Sequence, residues 1–172
     1  MEPGVYPDVF INKVTDPREG YRSTPLFHDV IYPVCTPEYL AKNPEISTLK
    51  GLYDTVLLNL SPYGRAQIAE HVDWSVWFAF HEMKLDARPR NGNHLFNAND
   101  YNMLIQMVLS HQGVSLGWHH LVEPLVKQGL LVRPVPQEVV FKEKLHYLTY
   151  AEGKEDNDEL SRFRDWLLSS LS

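Results

Sequence analysis

The sequence predicts an α/β fold, because strand-like and helix-like segments alternate along the whole chain. Short runs rich in β-branched and apolar residues are separated by segments whose apolar residues recur at helical spacing. Alternation of this kind favours parallel strand pairings with helices packed on the sheet. The 172 residues can form one domain or two small lobes, and a composition of 44% hydrophobic and 12% aromatic residues is typical of a folded core.

The first elements are two strands and a short helix. DVFINKV (8–14) and PLFHDVIYPVC (25–35) are apolar and β-branched, and a loop of Thr, Asp, Pro and Gly separates them. A helix follows at once, in which Thr36 is a suitable N-cap, Pro37 fits the first helical position and Pro44 limits the length. We expect this helix to have about two turns.

The next elements are a strand, DTVLLNL (54–60), a loop, SPYGRAQ (61–67), and an aromatic helix, DWSVWFAFHEM (73–83). The helix places its large rings on neighbouring faces. Such a face is more often core than ligand site, so we interpret it as core. The residues concerned are Trp74, Trp77, Phe78 and His81.

The most informative segment is NANDYNMLIQMVLSHQG (97–113), which leads into the short strand VSLGW (114–118). Its apolar residues have helical spacing, Asn99 can cap the first turn, and Gly113 is predicted to adopt the positive φ that helix ends favour. A helix start has unpaired N–H groups and partial positive charge, so it can hold an anion without a lysine. Asn97 can add a polar contact.

The remaining segments complete the alternation of strands and helices. HHLVEPLVKQG (119–129) is predicted as a helix, and NDELSRFRDWLLSSL (157–171) as a closing amphipathic helix. Between them, LLVRPVP (130–136) and LHYLTYA (145–151) are predicted as strands.

Charge and composition exclude several classes of function. The formal net charge is −6, whereas a nucleic-acid surface needs a basic stripe to neutralise phosphates. One cysteine excludes an internal disulfide and a multi-cysteine zinc site, and no apolar run approaches bilayer-spanning length. The N-terminus also lacks a secretory signal. We therefore expect a cytoplasmic protein that binds neither DNA nor membranes by itself.

One segment matches a catalytic motif. Residues 113–117 fit the G-x-S-x-G pattern of a nucleophile elbow, and three possible bases follow, namely His119, His120 and His146. A nucleophile elbow places its serine on a tight turn between a strand and a helix, whereas Ser115 lies inside an apolar run after a helix. We predict that the protein is not an enzyme, and a serine hydrolase using Ser115 is the alternative.

Metal and cofactor signals are weak. His119, His120 and Glu123 can bring one imidazole and one carboxylate onto one helical face, but two ligands do not make a site. Cys35 ends an apolar strand without a nearby cation, as expected for a structural thiol. There is no G-x-G-x-x-G and no Walker lysine. The sequence predicts neither a bound metal nor a cofactor.

Two motifs carry a resemblance to a known family. VCTPEYL (34–40) ends a strand in the pattern V-C-[ST]-P-x-Y-L, and QGVSLGW (112–118) leads through a helix to LVRP (131–134). In this order, and together with the flanking segments, the chain resembles the effector-binding domain of LysR-type transcriptional regulators over nearly its whole length. The resemblance implies two α/β lobes similar to type 2 periplasmic binding proteins, with a small effector in the cleft between them.

The family pattern also implies lobe boundaries and site residues. Carried onto this chain, lobe two is residues 36–147 and lobe one is 1–35 with 148–172. The residues expected to face the effector are Asn12, Thr36, Asn97, Ala98, Asn99, Trp118 and His119. Hydroxyl and amide groups beside a helix start suit a small polar, anionic or zwitterionic metabolite, and Trp118, whose ring can form an apolar or cation-binding wall, also allows a cationic effector.

The chain also departs from the family pattern. The winged helix-turn-helix is absent, as are the opening strand, helix and second strand of lobe one, so we expect an incomplete first lobe. The resemblance implies effector sensing without direct DNA binding, and an unpaired sheet edge favours a homodimer or higher oligomer. A free-standing solute-binding protein of the same fold is the alternative.

Overall fold

The computed structural model describes residues 8–13, 19–61, 72–84, 95–154 and 157–171. Its strands are β1 (Val9–Asn12), β2 (Tyr21–Val34), β3 (Leu57–Leu60), β4 (Leu95–Ala98), β5 (Val114–Trp118) and β6 (Val139–Ala151). Its helices are α1 (Pro37–Lys42), α2 (Leu49–Tyr53), α3 (Trp74–Phe80), α4 (Tyr101–Leu109), α5 (His119–Lys127) and α6 (Asp158–Ser170), with a 3₁₀ helix at Pro44–Ser47. The predicted alternation of helices and strands is confirmed.

The chain divides into two compact units. Unit 1 comprises Met1–Asp29 and Val140–Ser172, and unit 2 comprises Val30–Val139. Each unit combines strands with helices, and unit 1 is assembled from both ends of the chain. The lobe boundaries expected from the sequence, 35/36 and 147/148, stay a prediction.

Unit 1 is built on an antiparallel sheet. β6 lies between β1 and the first part of β2, and Val9 is opposite Tyr150 in the β1–β6 pair. Leu148 of β6 is fully buried. Helix α6 is capped by Asn157, whose side chain accepts a hydrogen bond from the Leu160 backbone. The predicted closing helix is confirmed.

Unit 2 contains a sheet with the strand order β2-β5-β3-β4. Strand β3 is parallel to both of its neighbours, with Leu57 beside Leu95 of β4 and Val114 of β5. The end of β2 runs antiparallel to β5, with Val34 opposite Ser115. The parallel pairings expected from the alternation are therefore present in β3, β4 and β5.

Large apolar side chains fill the interior of unit 2. Trp74, Trp77 and Phe78 of α3 are completely buried, which confirms the interpretation of the aromatic helix as core. The indole N–H of Trp74 donates to the carbonyl oxygen of Leu58 (3.0 Å), and that of Trp77 donates to the carbonyl oxygen of Ile31 (3.3 Å). Burial therefore leaves neither donor unpaired. A further cluster contains Tyr32, Val34, Leu58, Leu60, Ala98, Leu104, Val108, Val122 and Leu131.

Two predicted strands differ in the structure. The prediction of a strand over 130–136 was wrong, because only Val132 pairs, in an isolated bridge to Cys35. Pro134 and Pro136 have no N–H to donate to a ladder. β6 begins at Val139, six residues before the predicted strand. Of the predicted loop 61–67, only Ser61 lies within the described residues.

None of the helices within the described ranges has both the length and the apolar character needed to cross a membrane.

Candidate functional site

The carboxyl ends of three parallel strands meet at one edge of unit 2. We call this the carboxyl edge, defined by Leu60–Ser61 at the end of β3, Ala98–Asp100 at the end of β4 and Trp118–His119 at the end of β5. Helices α4 and α5 both begin there. Ligands of α/β sheets bind outside the carboxyl ends of the strands, where helix N-termini offer N–H donors.

Two asparagines form a pair on adjacent strands at this edge. Asn59 of β3 is 6% exposed and donates from Nδ2 to Oδ1 of Asn97 on β4, over 2.9 Å. Its own Oδ1 accepts from the backbone N–H of Trp74, over 3.2 Å. Asn97 is exposed, so its amide lies at the surface of the carboxyl edge.

The first turn of α4 is capped by Asp100. Asp100 Oδ1 accepts from the Met103 backbone N–H at 2.8 Å, so the prediction that Asn99 caps this helix was wrong. Both residues have cap-forming side chains, and the helix begins one residue later than the sequence suggested. Asn99 is left exposed in the bend before the helix, and Ala98 is buried with its carbonyl bound to Ser61 N–H at 2.7 Å.

The start of α5 differs from that of the other described α-helices. Trp118 occupies the N-cap position, and no side chain caps the first turn. The Trp118 backbone N–H donates to the hydroxyl of Tyr101 (3.3 Å), and the two rings meet edge to face with centroids 5.4 Å apart. Burial raises the pKa of Tyr101, which therefore stays a neutral phenol at physiological pH. Tyr101 thus joins the starts of both helices.

His119 is held at the first turn of α5 by Tyr32. The Tyr32 hydroxyl lies 3.0 Å from His119 Nδ1, and His119 Nε2 lies 3.7 Å from Glu123 Oε1. Lys127 also contacts Glu123 at 3.0 Å and lowers the pKa of that carboxyl. Arg133 stacks over the Tyr32 ring at 4.2 Å from its centroid. His119 is half exposed, so it can reach a ligand at the carboxyl edge.

Thr36 lies at the opposite edge of the same sheet. We call this the amino edge, defined by the starts of β3, β4 and β5 together with Cys35–Thr36 and His111. Thr36 is 4% exposed, and its Oγ1 caps α1 by accepting from Tyr39 N–H (3.2 Å) while lying 2.6 Å from His111 Nδ1. The predicted N-cap is confirmed, and its expected contact with an effector stays a prediction.

The expected positive φ at Gly113 was wrong. His111 takes the positive φ (59°) after α4 instead. Gly113 is needed for space, because a Cβ there would lie 2.7 Å from the Val56 carbonyl oxygen. The chain therefore leaves α4 two residues earlier than predicted and reaches β5 through a tight backbone approach.

Cys35 and Ser115 are both buried beside the amino edge. Burial raises the pKa of the Cys35 thiol to about 12, in agreement with a structural role. Ser115 is 1% exposed within β5, and its hydroxyl bonds the Leu116 carbonyl at 3.4 Å rather than an imidazole. This is not the exposed turn of a nucleophile elbow. Among the described residues, no three His, Cys, Asp or Glu side chains are grouped to hold a metal.

Asn12 belongs to unit 1. Its Oδ1 accepts from the Thr149 hydroxyl over 3.0 Å, and Thr149 lies 2.9 Å from Ser23 Oγ. Unit 1 also contains Asp29, which pairs with Lys13 (2.6 Å) and His146 (3.1 Å). Asn12 therefore lies in a hydrogen-bonded polar row, and its predicted contact with an effector stays a prediction.

Five predicted site residues share the carboxyl edge: Asn97, Ala98, Asn99, Trp118 and His119. Sequence reasoning missed the residues that support them, namely Asn59, Tyr101 and Tyr32. The only signal for Asn59 was a polar residue inside the apolar run LLNL, which is unusual in a buried strand.

Comparison with known proteins gives one family and one characterised relative. A model of the LysR substrate binding domain matches residues 8–172. The HTH-type transcriptional regulator DsdC of Escherichia coli K12 is 25% identical over 130 residues, which cover 76% of this chain and 40% of that regulator. This chain therefore spans about two fifths of the length of that relative.

Solved structures share the fold. The effector domain of the regulator AmpR of Pseudomonas aeruginosa matches with a TM-score of 0.61 and 19% identity, over 95% of this chain and 72% of that chain. The regulatory domain of CrgA, a LysR-type regulator from Neisseria meningitidis, matches with a TM-score of 0.58 and 20% identity, over 96% of this chain and 76% of that chain. The regulatory domain of AphB from Vibrio vulnificus matches with a TM-score of 0.59 and 20% identity, over 94% of this chain and 74% of that chain.

Proposed function

This chain belongs to the LysR substrate-binding domain family, and we propose that it binds a small polar or anionic effector at the carboxyl edge of unit 2. The match to the family model confirms the family resemblance, and the solved structures confirm the α/β fold predicted from the sequence. Both are those of regulatory effector-binding domains rather than of enzymes.

One observation carries the proposal: two helices start at the carboxyl edge, and the first turn of α5 is not capped by a side chain. A helix start carries partial positive charge, and its first N–H groups point toward the edge at which the helix begins, as at other helix starts that bind anions. Asn97 and Asn99 lie exposed beside the start of α4 and supply polar contacts. Trp118 and His119 add an aromatic wall and an imidazole nitrogen.

The experiment is a thermal-shift screen against small carboxylates, amino acids and quaternary amines, followed by calorimetry on each hit. A ligand that binds only the folded state raises the melting temperature in a saturable way. We expect Asn97→Ala to weaken binding about tenfold or more, which corresponds to roughly 1.4 kcal/mol. Gln106→Ala, an exposed change on α4, is the control and should not alter the affinity.

Two results would contradict the proposal. One is a folded sample that no ligand class stabilises. The other is a ligand whose affinity is the same for the wild type and for Asn97→Ala, which would place binding away from the carboxyl edge.

We also propose that the chain self-associates. Unit 1 exposes large apolar side chains, including Ile11 (50% exposed) and Trp166 (60% exposed), and such surface is costly in water. A second copy of the chain would cover it in a symmetric contact. Light scattering after size-exclusion chromatography should give twice the monomer mass, and Trp166→Glu should shift the protein to monomer. A wild-type monomer at all concentrations would reject this proposal.

A further inference from the structure

We propose that Asn59 is a positioning residue, which fixes the amide of Asn97 so that the carboxyl edge presents an N–H donor to the effector. The corresponding effector group is an acceptor oxygen, and we assign it to a carboxylate. This inference rests on the proposed function, because it concerns the same site.

The register of two parallel strands brings the residues together. Asn59 is the third residue of β3 and lies beside Asn97, the third residue of β4. Asn59 is buried, at 6% exposed, and Asn97 is exposed. One amide therefore lies inside the unit and the other at its surface, with a hydrogen bond between them.

The direction of each amide follows from a backbone group. The Trp74 N–H at the start of α3 can only donate, so the Asn59 atom 3.2 Å away must be the acceptor Oδ1. The other end of Asn59 is then Nδ2, which donates over 2.9 Å. Asn97 must accept with Oδ1, so its Nδ2 is the end that does not face Asn59.

This orientation has a chemical consequence at the surface. The exposed end of Asn97 carries two N–H donors, which match a carboxylate oxygen and have no acceptor for an ammonium group. The neighbouring carboxylate, Asp100, already accepts from Met103 N–H. Donors of Asn97 and of the α5 first turn therefore lie at the same edge, and they favour the same class of ligand.

The first experiment tests the orientation without any ligand. In Asn59→Asp, one carboxylate oxygen still accepts from Trp74 N–H, but the other can no longer donate, so Asn97 must rotate its Nδ2 inward. Side-chain amide NMR should show fast exchange of the Asn97 Nδ2 protons in the wild type and slowed exchange in the variant. Slow exchange in the wild type, or no change in a folded variant, would overturn the inference.

The second experiment tests the ligand class with a variant on the surface. Asn97→Asp keeps an acceptor toward Asn59 Nδ2 and replaces the outward donor by a negative charge. The probes are two pairs, each of an acid and an amine with the same carbon skeleton: benzoate with benzylamine, and propionate with propylamine. We expect the acids to bind the wild type and to bind Asn97→Asp at least about tenfold more weakly. Gln106→Glu adds the same charge on α4, away from Asn97 of β4, and should change the affinity less than about twofold.

The outcomes separate the two proposals. Acids that bind Asn97→Asp as tightly as the wild type would overturn the inference and leave the proposed function standing. Amines preferred over acids by the wild type would overturn the assigned ligand class. If a broader ligand screen also finds no binder, the proposed function fails, while the exchange pattern of Asn97 still decides whether Asn59 sets its orientation.

Discussion

The two edges of the unit 2 sheet use similar residues in opposite ways. At the amino edge, Glu38, His111 and Thr36 form one chain of polar contacts, with Glu38 Oε2 3.2 Å from His111 Nε2 and Thr36 Oγ1 2.6 Å from His111 Nδ1. At the carboxyl edge, Asn97 and Asn99 are exposed beside helix starts. The mutual contacts of Glu38, His111 and Thr36 stabilise the fold, whereas the end of Asn97 that does not face Asn59, and the exposed Asn99, can bind a ligand.

The comparison also explains why a helix start alone does not indicate a site. Helices α1 and α4 both have a side-chain cap, from Thr36 and Asp100, and only the second lies at the carboxyl edge. What distinguishes the carboxyl edge is that α5 starts there without a side-chain cap and that the oriented amide of Asn97 lies at the same edge.

Cys35 reports how closed the amino edge is. It is the only cysteine of the chain, and its pKa is raised from 9.0 to about 12 by burial. We expect maleimide to label the native protein at neutral pH on the order of 10³-fold more slowly than the unfolded chain, because the thiolate is the nucleophile. Equal labelling rates in native and denatured samples would show that the amino edge opens freely.

Gly113→Ala tests the close backbone approach at the amino edge. The new Cβ would lie 2.7 Å from the Val56 carbonyl oxygen and 3.1 Å from Leu58 Cγ. Overpacking of this kind should lower the free energy of unfolding by about 1–3 kcal/mol in urea denaturation. Gln112→Ala, exposed and next to it, should change the unfolding free energy by less than about 0.5 kcal/mol.

Two substitutions of Thr36 distinguish its structural role from a contact with the effector. Thr36→Ala removes the α1 cap and the partner of His111 Nδ1, and should lower the unfolding free energy by about 0.5–2 kcal/mol. Thr36→Ser retains the hydroxyl and should restore most of the stability. An effector affinity that falls in Thr36→Ala, measured well below its melting temperature, would favour the contact expected from the sequence.

Alanine substitutions of Asp100 and Asn99 are matched tests of which residue caps α4 at the carboxyl edge. Asp100→Ala removes the α4 cap and should lower the unfolding free energy by about 1 kcal/mol. Asn99→Ala should leave it within about 0.5 kcal/mol, since no cap is lost. A larger loss of unfolding free energy in Asn99→Ala than in Asp100→Ala, measured by chemical denaturation, would indicate that Asn99 is the cap.

Glu38 gives the smallest effect, and it depends on pH. The hydrogen bond from Lys42, with the charges of His111 and Lys42, lowers the pKa of Glu38 below 4.5 in the folded state. The resulting stability is present above the unfolded pKa and is lost as pH falls through the folded pKa. The wild type should therefore be slightly more stable than Glu38→Gln at about pH 6, and the difference should vanish at about pH 2.5. An equal difference at both values would exclude this ionisation as its source.

Local patterns predicted the elements that depend on neighbours in sequence. The Thr-Pro pair at the start of α1 predicted the correct cap, and the helical spacing of Leu104 and Val108 predicted the correct buried face of α4. The cap of α4 was missed because Asn99 and Asp100 are adjacent and chemically similar as caps. Sequence alone does not decide which of two neighbours adopts the extended backbone of an N-cap.

Long-range pairing hid the rest of the candidate site. Asn59 and Asn97 are 38 residues apart and meet only because β3 and β4 run parallel in register. Likewise, Tyr32 reaches His119 across a separation of 87 residues. The strand expected over 130–136 failed for a local reason, since proline cannot complete a ladder.

The four tryptophans give this protein its own optical reporters. Trp74 and Trp77 are fully enclosed and should emit at short wavelength, out of reach of iodide. Trp166 is 60% exposed and should emit at long wavelength, where iodide quenches it. Trp118 is only partly covered at the carboxyl edge, so a ligand that binds at the proposed site should alter its emission, and such binding could be followed by intrinsic fluorescence with no added label.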